Sequence, residues 1–249
     1  MDKVKEQRKW MKSNFAEMEG VESDQRLGLV QPPLQKYYDE NGNIIDLPKV
    51  KENVLRKVNI LEIINNRKSR RSYSNENISL EELAFLLWST QGVKDIRDNN
   101  YATIRTVPSA GARHPFETYL AINKVEGLKS GIYRYLPLTH QLLFMFEEEN
   151  LEERISELSL GQKFAGSCAV TFIWSAIPYR GEWRYNLVAH KAMLLDAGHV
   201  CQNLYLACEA INCGTCAIAA YDQENFDKFL KLDGEDEFVV YLAPVGKSV

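Results

Sequence analysis

The chain has 249 residues, 45% of them hydrophobic and 26% charged, with a formal net charge of −4. That is enough apolar chain for one large globular domain or two small ones, and it lacks the basic excess of a nucleic-acid binder, although a local basic pocket is not excluded. No run approaches the ~18 apolar residues of a membrane span, and the polar opening MDKVKEQRKW has no apolar signal-peptide core. Its five cysteines, Cys168, Cys201, Cys208, Cys213 and Cys216, are an odd number and read as reduced thiols of a cytoplasmic protein.

Residues 1–47 are loosely patterned. "QPPLQKYYDENGNIIDLP" carries turn residues at short intervals and predicts an extended arm lying on a body formed by residues 48–249, within reach of a second subunit. A helix is expected from Asn59, with Ile60, Ile63 and Ile64 on one face and Arg67 a turn later. Ser79 and Glu82 form a capping box for a second helix, whose stripe is Leu83, Leu86, Leu87 and Thr90 and which Gly92 ends. "FETYLAIN" alternates as a strand, "GIYRYLPLTHQLLFMFE" reads as two strands around a turn, and Asn150 with Glu153 opens a short helix. "CAVTFIWSAI" is a buried central strand.

A long helix follows, from about Leu187 to Ile211 and ~37 Å in length. Leu194, Ala197, Cys201, Leu204, Cys208 and Ile211 form its stripe, and the small Ala197 and Gly198 leave room for another backbone. Asn212 to Gly214 stop it. "TCAIAAY" is expected as a short strand, "DQENFDKFL" as a helix capped by Asp222, and "EFVVYLAPV" as the last strand. The order predicts an α+β domain with a mixed sheet under long helices.

Three stretches could carry chemistry. Arg67, Lys68, Arg70 and Arg71 concentrate positive charge around Ser69, as an anion site requires; a solvated basic helix end is the plainer reading. "TVPSAGARHP" places Ser109, Ala110, Gly111 and Ala112 where a backbone could come close to a flat or anionic group. Cys213 and Cys216 form a Cys-x-x-Cys, but no second pair accompanies them, so crowded packing is favoured over zinc or redox chemistry. His199 reads as a core histidine, and His114 gains interest from its place beside the small-residue loop.

Together, "RKSRRSYS", "ISLEELAFLLWSTQG", "RTVPSAGARHPFETYLAINKVEGLKSGIYRYLPLTHQL", "LLDAGHVCQNLYLACEAINCGTCAIAAYD" and "YLAPVG" resemble the SagB/ThcOx-type branch of the nitroreductase superfamily over roughly residues 48–247. The resemblance implies a nitroreductase-like α+β fold with a mixed, mainly antiparallel sheet flanked by long helices. It also implies an intertwined homodimer with FMN at the subunit interface. Arg67, Lys68, Ser69 and Arg71 fall on phosphate and flavin-edge positions. Pro108, Ser109, Ala110 and Gly111 match the loop that a second subunit lays against the flavin. Ala219 and Ala220 match the strand whose N–H faces flavin N5, and Gly246 and Lys247 match a turn near the phosphate.

The implied activity is an FMN-dependent oxidoreductase that passes hydride through N5 in ping-pong fashion. Its small-molecule substrate is unassigned, and NADH or NADPH is the candidate donor. Azoline-oxidising members of the branch carry a Lys-Tyr pair where this chain has Arg184 and Tyr185. Tyr185 keeps a proton-transferring phenol, whereas Arg184 cannot act as a base near neutral pH. The alternatives are azoline-to-azole oxidation of peptides, a flavin redox sensor or carrier using Cys213 and Cys216, and flavin fragmentation as in BluB-like relatives.

Overall fold

The computed structural model describes residues 2–249. Nine strands are β1 (Ile44–Asp46), β2 (Val93–Arg97), β3 (Ala102–Arg105), β4 (Phe116–Ile122), β5 (Gly131–Leu136), β6 (Gln141–Phe146), β7 (Val170–Ala176), β8 (Cys213–Thr215) and β9 (Phe238–Lys247). The α-helices are α1 (Asp2–Gln7), α2 (Ile60–Asn66), α3 (Leu80–Gln91), α4 (Leu151–Leu158), α5 (Lys163–Gly166), α6 (Tyr179–Tyr185), α7 (Ala189–Ala210) and α8 (Gln223–Phe229). Seven strands make one sheet in the order β1-β6-β5-β4-β7-β9-β8, and β2 pairs with β3 apart from it. Every pairing between named strands is antiparallel. The expected parallel component is confined to isolated bridges such as Ser69 with Thr215.

The central strands are apolar throughout because both faces of the sheet are covered. Along β7, Val170, Phe172 and Trp174 face the core under α3 and α7, while Ile173 joins a second core with Ile155 of α4 and Phe226 of α8. β4 divides likewise: Phe116, Leu120 and Ile122 face one way, Tyr119 and Ala121 the other. The capping box forms as the sequence predicts, with the Ser79 hydroxyl accepting from the Glu82 N–H and the Glu82 carboxylate from the Ser79 N–H.

Several expectations need correction. α2 forms behind its Asn59 cap, but Ile63 alone of its predicted face is buried; Ile60, Leu61 and Ile64 are exposed. On α7, Ala197, Cys201, Leu204 and Cys208 are core residues, yet Leu194 is 66% exposed and its neighbour Leu195 58%. Ala197 is thus used by this chain's own core, and a side chain on Gly198 would meet open space. Of the segment read as the strand TCAIAAY, only Thr215 belongs to a regular strand, the end of Cys213–Thr215; Ile218 makes one isolated bridge, and Ala219 and Ala220 lie in an exposed irregular stretch. His199 is about half exposed, 3.8 Å from Asp196, and is no core histidine.

The arm is partly built into the body. β1 is the edge strand beside β6. Ahead of it, the Lys36 N–H donates to Glu117 (3.0 Å), its ammonium pairs with Glu237, and Arg134 donates to the carbonyls of Lys36 and Tyr37. Glu117 and Arg180 form a buried ion pair at 2.6 Å. Burial pushes Glu117 up, but the Arg180 and Arg134 guanidiniums outweigh it and hold the carboxyl below its usual range. Further out, the Gln25 N–H donates to the Trp183 carbonyl and the Trp183 indole to the Leu29 carbonyl.

Candidate functional site

The first group of predicted residues gathers at the β8 edge of the sheet. α2 ends at Arg67, and the chain then runs extended along β8, with the Arg70 N–H donating to the Thr215 carbonyl (2.9 Å). Gly214 leaves no room for a side chain because the Arg70 side chain crosses it. That path delivers the Arg70 guanidinium to Glu209 (3.0 Å), which Lys57 also holds (2.6 Å). Arg70 is therefore a structural cation. Arg67, Lys68 and Arg71 have no carboxylate within ion-pair distance among the described residues.

Tyr205 on α7 organises this edge, and nothing in the sequence singles it out. The Arg67 guanidinium carbon lies 5.4 Å from its ring centroid. Its hydroxyl meets the Ser69 hydroxyl at 3.0 Å and accepts the Ala217 N–H at 2.8 Å. The Arg71 guanidinium sits 5.9 Å from the Phe164 ring. The Ala220 carbonyl accepts from Gln162 (2.9 Å), whereas the N–H groups of Ala219 and Ala220 have no acceptor among the described residues. Gly246 packs on Tyr73, and Lys247 is ion-paired to Glu82 of α3, so it is engaged within the fold.

The second group lies around the loop of Pro108 to Ala112. Gly111 has φ +58°, and Ala112 and His114 follow at +54° and +45°, a concentration of left-handed backbone unusual for side-chain-bearing residues. The Ala110 N–H donates to the Asp196 carboxylate of α7 (3.0 Å), and the Ser109 hydroxyl accepts from the His114 N–H (2.9 Å). A side chain at Gly111 would come within 2.7 Å of the Tyr185 hydroxyl and Arg184 Cδ, so both predicted catalytic residues rest on this glycine. Arg184 donates to the Tyr101 hydroxyl (2.9 Å), as does Gln25 of the arm (2.7 Å). The Arg113 guanidinium lies 4.8 Å from the Tyr101 ring centroid and 5.3 Å from that of Trp183. Burial lowers its pKa and the nearby Arg184 charge lowers it further, with Tyr101 opposing.

His114 is buried, and one ring nitrogen faces the Thr103 carbonyl at 3.2 Å. Burial, reinforced by the Arg105 charge, pushes its pKa down to about 2, so it is a neutral structural residue. Cys213 and Cys216 are buried free thiols, and burial pushes Cys213 up to about 12, which disfavours the reactive thiolate. Among the described residues no cluster of three or more His, Cys, Asp or Glu side chains could hold a metal ion, and no helix is long and apolar enough to cross a membrane.

The two groups belong to opposite sides of α7. Asp196 and Tyr205 are nine residues apart, about 13.5 Å along the axis and about half a turn out of phase. Beside the second group, a cavity of ≈ 610 Å³ opens between residues 15–26 of the arm and Arg184, Tyr185 and Val188.

Comparison with known proteins agrees with this architecture. The nitroreductase family model matches residues 64–247. The nitroreductase-like protein MJ1384 of Methanocaldococcus jannaschii is 29% identical over 205 residues, covering 82% of this chain and 96% of that protein. The trifolitoxin-processing protein TfxB of Rhizobium leguminosarum is 26% identical over 164 residues, 63% of this chain and 44% of that one. Among solved structures, a nitroreductase-like protein from Ralstonia eutropha superposes with a TM-score of 0.68 at 22% identity, covering 89% of this chain and 96% of that chain.

Proposed function

Starting from the fact that this chain belongs to the nitroreductase family of oxidoreductases, we propose that it is an FMN-dependent oxidoreductase of the SagB/ThcOx-type branch, acting as a homodimer on a small molecule, with NADH or NADPH as candidate donor. One observation carries this reading. Three cations without acid partners, Arg67, Lys68 and Arg71, share the β8 edge with Ala219 and Ala220, whose N–H groups have no acceptor among the described residues; Tyr205 links Arg67 and Ser69 to Ala217, and Phe164 and Gln162 link Arg71 to Ala220. Such a set fits a ligand with an anionic end and a flat ring bearing acceptors.

Arg67, Lys68 and Ser69 would hold the phosphate, and Arg71 would place positive charge at the ring edge, where reduction builds negative charge. FMN, when bound, supplies a hydride acceptor and donor, which no amino-acid side chain provides. Ala219 and Ala220 offer backbone donors without a side chain that would block a substrate. Pro108, Ser109, Ala110 and Gly111 cannot join Arg67 and Ser69 on one ligand within a chain, because α7 separates them. A second copy would bring its loop to the first copy's cations, and the exposed Ile60, Leu61 and Ile64 of α2 and Leu194 and Leu195 of α7 are the apolar surface it would cover. The Tyr185 hydroxyl is the proton-transferring group beside that loop. Arg184 stays charged and supplies electrostatics and position.

Azoline-to-azole oxidation is a second reading, supported by the similarity to TfxB, which is named as a processor of trifolitoxin. Arg184 in place of a titratable lysine weighs against it. The buried, unactivated Cys213 gives the redox-sensor reading no support. The test is the visible spectrum of freshly purified protein, repeated anaerobically with NADH and then NADPH. A flavin spectrum that bleaches with one of them is the expected result. No flavin, even after reconstitution with FMN, would overturn the proposal.

A further inference from the structure

The ≈ 610 Å³ cavity is walled on one side by the arm and on the other by the residues that rest on Gly111. Its volume is that of a small-molecule site. Phe15, Met18 and Val21 of the arm supply apolar wall, and Arg26 and Arg184 supply two guanidiniums. Neither arginine has a carboxylate partner among the described residues, and Glu19 is the single acid on the wall. Arg184 has the Tyr101 hydroxyl and the Tyr185 ring as its neighbours, and neither neutralises it. Arg113, close enough to feel the Arg184 charge, is also without an acid partner. The cavity thus combines an apolar patch of Phe15, Met18 and Val21 with two guanidiniums, one on the arm and one beside Tyr185, against a single carboxylate.

We propose that this cavity binds the substrate, and that the substrate is a small organic acid. Its carboxylate is held by Arg184 and Arg26, and its apolar body packs against Phe15, Met18 and Val21. The guanidinium fork matches a carboxylate in two parallel hydrogen bonds, and the arm seals the apolar end. The role as substrate site rests on the proposed placement of Arg184 and Tyr185 at the flavin, whereas the preference for an acid rests on the cavity alone.

Two probes of matched shape test this: 4-nitrobenzoate and its neutral counterpart 4-nitrobenzamide, titrated by calorimetry into the protein before and after saturation with FMN. The acid is expected to bind at least about tenfold more tightly than the amide. Arg26→Gln, at an exposed arm position, should cut that preference severalfold without affecting folding. The Arg26→Gln and Arg184→Gln double variant should bring the two probes within twofold, and Arg184→Lys should keep most of the difference. Equal affinities, failure of the FMN-loaded protein to bind the acid, or a preference that survives the double variant would overturn the proposal. If FMN binds and the acid preference is missing, the pocket assignment fails and the flavin reading stands. If the preference follows the arginines in a protein that takes up no FMN, the flavin reading fails and the acid site stands.

Discussion

Tyr205 joins Arg67 and Ser69 to the last turn of the chain before Ala219: its ring lies under the Arg67 guanidinium at 5.4 Å, while its hydroxyl serves both Ser69 and the Ala217 N–H. Tyr205→Phe keeps the ring and removes both hydrogen bonds. Each is worth about 0.5–1.5 kcal/mol, so with both lost FMN affinity is expected to fall by about fivefold or more, read from the fluorescence of free FMN in a titration. Unchanged affinity would mean that Tyr205 does not position the site.

Arg71 is exposed; its guanidinium lies 5.9 Å from the Phe164 ring centroid and forms no ion pair or side-chain hydrogen bond among the described residues. Arg71→Ala should therefore leave the melting temperature nearly unchanged while weakening FMN binding about tenfold, the lower end of a charge-assisted contact because solvent screens it. A large loss of stability with intact FMN affinity would reverse that assignment.

The proposed dimer makes Leu194 a buried interface residue although it is 66% exposed in the single chain. Leu194→Asp is expected to turn a dimer into a monomer by sedimentation equilibrium, and FMN should be lost with it. Retention of FMN by a monomer would show that one chain completes the site.

His114 ties stability to pH. Its folded pKa is about 2, against 6.5 for the free side chain. Between these values the unfolded chain binds a proton that the folded chain does not, so stability falls as pH drops below about 6.5, by about 1.4 kcal/mol per pH unit. Urea unfolding should show the native protein losing about 2 kcal/mol more between pH 7 and pH 5 than His114→Gln, which cannot titrate. Equal losses would place a titrating His114 in contact with solvent.

Glu117→Gln leaves Arg180 buried without its counter-ion and weakens the seat of the Lys36 N–H. A loss of about 3–5 kcal/mol is expected, together with faster tryptic cleavage at Lys36. Both are readable on one preparation, by thermal unfolding and by limited proteolysis.

The strands and capped helices were legible because each carries its own periodicity: the β7 run and the Ser79–Glu82 box need no distant partner to be recognised. Leu194 shares the stripe of α7 with core residues and is nevertheless exposed, because three- and four-residue spacing marks an apolar stripe without telling what covers it. The β propensity of TCAIAAY conceals an irregular stretch in which the N–H groups of Ala219 and Ala220 have no acceptor among the described residues. Of the site, the cations around Ser69 declare themselves by charge and Gly111 by the small residues around it, whereas the positions of Ala219 and Tyr185 come from resemblance. Tyr205 and the arm's cavity wall have no local signal: Ser69 and Tyr205 are 136 residues apart, and Arg26 lines one cavity with Arg184 across a separation of more than 150 residues, where the arm is tied down at Trp183.

That tying-down divides the arm into two parts with different freedoms. At its root, the Lys36 ammonium neutralises the buried Glu237 carboxylate, so the residue there is fixed by charge. Toward the tip, three anchors engage main-chain atoms of the arm: the Gln25 N–H, the Leu29 carbonyl and the Met11 carbonyl, the last taken by Lys191. Bonds to main chain are indifferent to the side chain they pass. The tip can exchange Phe15, Met18, Val21 or Arg26 for other residues while following the same path, which makes the cavity's outer wall a replaceable panel on an unchanged frame.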